Sequence, residues 1–178
     1  IAQGCDAYSC DLKPSEEGPI DPRHFHCSIL DVMYDAWDLF ICHPPCTFLT
    51  RTQNRWMNDH RYPNRKRDQE DSIKFVELLW NAPIKQKCFE NPIGVLGTRW
   101  RPYSQIIDPT QFGHAQCKGT CLWLDNLPLL TPPSFYEIQN EDINLAKLSF
   151  AWHERDQTKR SRTFPNIAYA MATQWSKL

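Results

Sequence analysis

Four apolar residues, Leu39 to Cys42, form an unbroken run that ends on His43, Pro44, Pro45 and Cys46. A short continuous run of this kind suits a strand buried on both faces of a parallel sheet, rather than a half-exposed strand with alternating polarity. Proline fixes φ and has no N–H to give to a ladder, so the strand stops at His43 and the chain turns. A thiol is thereby delivered to the carboxyl end of a strand, the place where open parallel sheets bind ligands.

The neighbouring stretches repeat the pattern. "DAYSCDL" (6–12) reads as a strand closing on Asp11, and "FHCSILDV" (25–32) as a second, closing near Asp31. "DQEDSIKFVELLW" (68–80) is a helix with acids at its amino end and an apolar stripe of Ile73, Val76, Leu79 and Trp80, stopped by "NAP". "IKQKCFENP" (84–92) is a fourth strand, "IGVLGTRWRPYSQIIDPTQFGH" (93–114) is irregular, and "KGTCLWL" (118–124) is a strand. Residues 125–145 are proline-rich and loop-like, and "PNIAYAMATQW" closes the chain as a helix with Pro165 in its first turn. Alternating strands and helices predict a single α/β domain over 1–178.

With 178 residues and 41% apolar content, one packed core is expected and a second is not. No run of 18 apolar residues and no signal-like segment is visible, so the chain reads as soluble and intracellular, with no membrane contact. The eight cysteines then read as core residues rather than a disulfide framework. His114 with Cys117 and Cys121, or His24 with His26 and Cys27, lack the paired knuckles of a zinc site, and no metal is expected. The net charge of -1 is uninformative, but Arg51, Arg55, Arg61, Arg65, Lys66 and Arg67 are opposed only by Asp59 and interleaved with Trp56 and Tyr62. Such a mixture neutralises phosphates and stacks on bases.

Four stretches, in order, resemble the DNA cytosine-5 methyltransferases, in particular their short phage and prophage branch: "HPPCTFLT" (43–50), "FENPIG" (89–94), "FGHAQCKGTCLWL" (112–124) and "RSRTFPNIAYAMATQW" (160–175). The resemblance covers nearly the whole chain. It implies a Rossmann-like α/β fold with a mostly parallel central sheet and flanking helices. It also implies transfer of a methyl group from S-adenosylmethionine to carbon 5 of cytosine in DNA, inside a bacterial host. Cys46 would be the nucleophile, positioned by Pro45; Glu90 would bind the ring near nitrogen 3, and Asn91 would position the base or the loop. Asp11, Leu12, Asp31, Val32, Pro44 and Asn166 would line the cofactor pocket. Arg51, Arg55, Arg61, Arg65, Lys66, Arg67, Gln116, Lys118, Arg160 and Arg162 would meet DNA, the segment after Cys46 acting as a mobile loop.

The chain also departs from the family. Lys118, Gly119 and Thr120 stand where a Gln-x-Arg-x-Arg pattern would carry arginines, and Pro92 stands where valine is usual. Residues 125–159 form a small loop-rich insertion where larger relatives carry a recognition domain. The family's first strand and its glycine loop have no counterpart, which would leave two unpaired strand edges facing each other unless an upstream segment or a partner chain completes the sheet. A catalytically inactive, nucleic-acid-binding or structural phage protein is the alternative expectation.

Overall fold

A computed structural model describes residues 4–16, 18, 21–114, 117–132 and 163–176. The strands are β1 (Ser9–Asp11), β2 (His24–His26), β3 (Leu39–Cys42), β4 (Gln86–Pro92), β5 (Gln105–Ile107) and β6 (Thr120–Asp125). The helices are α1 (Arg65–Trp80), the single turn α2 (Leu96–Arg99) and α3 (Pro165–Trp175), with short 3-10 turns at Ile29–Asp31, Arg51–Trp56 and Pro109–Phe112.

The expected Rossmann-like, mostly parallel sheet is not what forms. Among the described residues there are two separate sheets, a parallel pair β1-β2 and a four-stranded mixed sheet in the order β3-β4-β6-β5. Within the larger sheet only β3 and β4 run parallel; β6 is antiparallel to both β4 and β5. The reason lies in the connections. The link from β3 to β4 contains α1 and is long enough for a parallel crossover, whereas β5 and β6 are joined by a short 3-10 turn that returns the chain the other way. That turn is closed by a reciprocal cap, in which the Asp108 carboxylate accepts from the Thr110 N–H and the Gln111 side chain accepts from the Asp108 N–H.

A second correction concerns β3. It is an edge strand, and Ile41 is 36% exposed on it. The strands buried on both faces are β4 and β6, whose side chains alternate between two apolar clusters. Phe89, Cys121 and Trp123 face Ile73, Val76 and Leu79 of α1; Cys88 and Leu122 face Ile167, Ala170 and Met171 of α3. The period of two along each strand thus feeds a helix on each face.

Other boundaries shift for local reasons. The second strand ends at His26, because the Ser28 hydroxyl accepts from Leu30 N–H and starts the 3-10 turn that contains Asp31. The helix begins at Arg65 rather than Asp68, and Arg51–Trp56 is a 3-10 turn, so the basic segment is not one open loop. The irregular stretch 93–114 holds α2 and β5, too short to leave a periodic signal. Of the 125–159 insertion, residues 126–132 carry no regular element; 133–159 lie outside the described residues.

Two packing features tie the elements together. Lys87 is buried in β4, and its ammonium donates to the carbonyls of Trp80 (2.9 Å) and Ala82 (3.2 Å) while pairing with Asp125 at 3.3 Å, which satisfies carbonyls at the end of α1. Trp37, just before β3, donates to the Val32 carbonyl at 2.7 Å and packs on Tyr8 and Phe25, joining the small sheet to the large one. The outer edges of β1 and β3 have no ladder partner among the described residues.

Candidate functional site

The site is a consequence of register. β3 and β4 pair Leu39 with Gln86 and Ile41 with Cys88, and residues opposite each other in a parallel ladder point to the same face. His43 precedes a proline, which holds it extended and continues the alternation one step beyond the ladder. It therefore meets Glu90, and its Nδ1 lies 2.8 Å from Oε2 of that residue. On the other face, the Asn91 side-chain amide donates to the buried Pro44 carbonyl at 2.9 Å. The two prolines thus present a rigid carbonyl to Asn91, and the loop is fastened to β4 from both faces.

Cys46 opens the next turn. Its carbonyl accepts from the N–H groups of Leu49 (2.9 Å) and Thr50 (3.3 Å). Leu49 is buried, its carbonyl accepts from Val95 N–H at 2.9 Å, and Thr50 bridges to Gly94. Gln69 of α1, also buried, donates to the Phe48 carbonyl at 2.8 Å and accepts from Arg99 at 2.5 Å. The backbone on both sides of the thiol is therefore held, and Cys46 itself is half-buried. The other strand cysteines differ. Burial pushes the Cys42 thiol up to about 12 and the Cys88 thiol higher still, with the Glu90 charge adding to the latter. Cys121 is raised by burial and by Glu90, and Arg51 cancels only part of that rise.

Beside Glu90, on the α3 face, is a small cleft partly open to solvent. Lys118 and Thr120 line it with Glu90, and Ile107, Phe164 and Ile167 provide its apolar wall. Glu90 therefore touches the Cys46 loop through His43 and the cleft directly. Cys46 does not line this cleft, and it stands at the end of an edge strand rather than a central one. Gln116, Arg160 and Arg162 lie outside the described residues.

The residues expected around a cofactor divide. The charges of Asp11 and Asp31 both act on Cys10, whose thiol is raised to about 11, first by burial and then by its contacts with Cys27. Leu12, beside Asp11, is 75% exposed, and Val32 ends the turn that carries Asp31. Pro44 is committed to Asn91, and Asn166 donates to the Phe112 carbonyl at 2.7 Å while its N–H donates to His114, so it anchors α3.

In the basic segment the cations partly serve the protein itself. Arg61 binds Asp59 at 2.7 Å and holds that carboxyl below the usual range. Trp56 lies under both Arg55 (4.6 Å) and Arg61 (5.3 Å), and Arg65 covers Phe48 at 4.5 Å while donating to Gln53. Arg51, Lys66 and Arg67 are exposed and have no ion-pair partner among the described residues.

His43, Gln69, Lys87 and Arg99 carry no chemical signal in the sequence alone. Only for His43 is a sign available, since it continues the alternation of β3 into a proline. No group of three or more His, Cys, Asp or Glu residues suited to a metal ion occurs among the described residues. No helix there is long and apolar enough to cross a membrane. Compared with known proteins, the chain matches no family model and no curated protein.

Proposed function

We propose that this chain methylates carbon 5 of cytosine in DNA, with Cys46 as nucleophile and Glu90 as its partner on the ring. The observation that carries the reading is the double fastening at the carboxyl end of β3 and β4, His43 to Glu90 and Asn91 to Pro44, which holds the Cys46 loop against a carboxyl that also lines a cleft. Carbon 5 of cytosine is a poor nucleophile. Addition of the Cys46 thiolate to carbon 6 makes the ring an enamine, while Glu90 shares a proton with nitrogen 3, where negative charge develops. After carbon 5 is alkylated it loses its proton to a base, the carbon–sulfur bond breaks and aromaticity returns. A duplex hides carbon 6, so the base must leave the stack to reach the thiol.

S-adenosylmethionine, when bound, supplies an electrophilic methyl group. Asp11, Leu12, Asp31 and Val32 would take its nucleoside half: the two carboxylates, whose charges both act on Cys10, can accept hydrogen bonds from a ribose diol and an amino group, and the exposed Leu12 can cover a purine. These four residues account for that half alone.

Incubating the full-length protein with DNA and tritiated-methyl S-adenosylmethionine should label cytosine. Glu90→Gln removes the transferable proton and should lower the rate by roughly 10²- to 10⁴-fold, the usual worth of a positioned acid. DNA binding without any label in the wild type would overturn the enzymatic reading in favour of a nucleic-acid-binding protein without turnover.

The unpaired cations supply the expected DNA contact. Reversing Arg51, Lys66 and Arg67 to Glu together should weaken DNA binding and flatten the plot of log affinity against log salt by roughly 2 to 3, because each phosphate contact on duplex DNA contributes about 0.9. All three are exposed, so thermal stability should hold. Unchanged affinity and slope would show that this face is merely solvated. Reversing Arg61 should do less, since Asp59 already neutralises it.

A further inference from the structure

We propose that His43 determines which pyrimidine the site accepts, by assigning different tasks to the two oxygens of Glu90. The inference rests on Cys46 and Glu90 acting on the ring as nucleophile and acid. His43 Nδ1 lies 2.8 Å from Oε2, with the ring 40% and the carboxyl 20% exposed. Oε1 has no donor among the described residues, and Glu90 lines the cleft. The other titratable groups around the carboxyl are Cys88 on its own strand, Cys121 on β6 and Lys118 at the cleft; the residues that α3 and its N-cap present there, Phe164, Ile167 and Met171, do not titrate.

A neutral imidazole carries its proton on one nitrogen only. With the proton on Nδ1, His43 donates to Oε2 and occupies it as an acceptor. The proton that Glu90 shares with the base then sits on Oε1, directed away from His43. Cytosine offers a bare, accepting nitrogen 3 to that O–H. Uracil and thymine offer an N–H at the same position, so donor meets donor and the ring is refused. Were the proton on Nε2 instead, bare Nδ1 would draw the Glu90 proton onto Oε2, and the bare Oε1 would accept the uracil N–H and turn the preference around. His43 touches Glu90 and not the substrate, which makes it a positioning residue that governs specificity.

The test is competition for the covalent adduct between DNA containing 5-fluorocytosine and DNA containing 5-fluorouracil, with S-adenosylmethionine present. Wild type should favour fluorocytosine by roughly 10- to 100-fold, the worth of a correct base-edge contact. His43→Ala should bring the ratio close to unity, and His43→Asn, which keeps an N–H near the Nδ1 position, should restore it. A merely structural role would slow both substrates together and leave the ratio unchanged, and that result would overturn the proposal. Nitrogen-15 NMR of the imidazole should show Nδ1 protonated; finding it bare would overturn the proposal by itself. If wild type forms no adduct with either DNA, the reading of Cys46 falls and takes this inference with it. An adduct whose selectivity ignores His43 removes the inference alone.

Discussion

Cys46→Ala should abolish the covalent complex with DNA containing 5-fluorocytosine while the protein stays folded. Fluorine cannot leave carbon 5 as a proton does, so a nucleophile that has added to carbon 6 remains attached once carbon 5 is alkylated, and the complex survives denaturation. The thiol is the only part of Cys46 that alanine lacks. The carbonyl that receives Leu49 and Thr50 is retained, and so are the fastenings at His43, Pro44 and Leu49. Loss of a half-buried sulfur should cost about 1 kcal/mol or less. Cys42→Ala is the informative control. Cys42 is buried, with its thiol pushed up to about 12, so its removal opens a small cavity without touching the chemistry. That variant should melt earlier and still form the adduct. Intact mass of the protein–DNA complex reads both outcomes, and an adduct that persists in Cys46→Ala would overturn the assignment of the nucleophile.

Gly94→Ala should be the most damaging single-methyl change in the protein. A Cβ at residue 94 would lie 2.0 Å from the Leu49 carbonyl oxygen, 2.9 Å from its carbon and 3.2 Å from the Thr50 Cα. All three are backbone atoms, and the same carbonyl is held by Val95 N–H. No side-chain rotation relieves the contact, so the turn that begins at Cys46 must move away from β4. Overpacking against backbone should cost about 3 kcal/mol or more, at the upper end of such changes. Adduct formation should fall further than the lost stability explains, because the displaced turn carries the nucleophile. Gly97→Ala provides the comparison: its added Cβ meets only the Tyr103 ring at 3.2 Å, and that side chain is exposed enough to swing aside. Urea denaturation of the two variants should separate them by more than about 2 kcal/mol. Equal stabilities would refute the close approach of Gly94 to the Leu49 carbonyl.

The elements with a strong internal period are legible in the residues themselves. The stripe of Ile73, Val76 and Leu79 marks α1, the apolar run of Leu39 to Cys42 marks β3, and Pro165 marks the start of α3. Side-chain period and proline geometry are properties of a few consecutive residues, so the sequence states them directly. The prolines after β3 likewise dictate that the strand ends where it does. Short elements such as β5 and α2 escape, since three or four residues make no period.

Partnership is another matter. Nothing local in "KGTCLWL" states that β6 runs antiparallel to β4, or that β3 lies at an edge; the direction of each pairing depends on the length and content of the connections. The fastening of His43 to Glu90 joins residues 47 positions apart, and it exists because one register was chosen over its one-residue neighbours, each of which would turn Glu90 to the opposite face. The same holds for the basic segment. Its charges are plain in the sequence, and Arg61 meets Asp59 two residues away in a local turn, yet the withdrawal of Arg65 by Gln53 and Phe48 follows from how the chain folds back onto the start of α1. Consecutive residues specify the chemical groups of this protein and the local turns that expose them. Which of those groups meet is set by the packed fold, because contacts between distant segments depend on register and loop closure that no short stretch encodes.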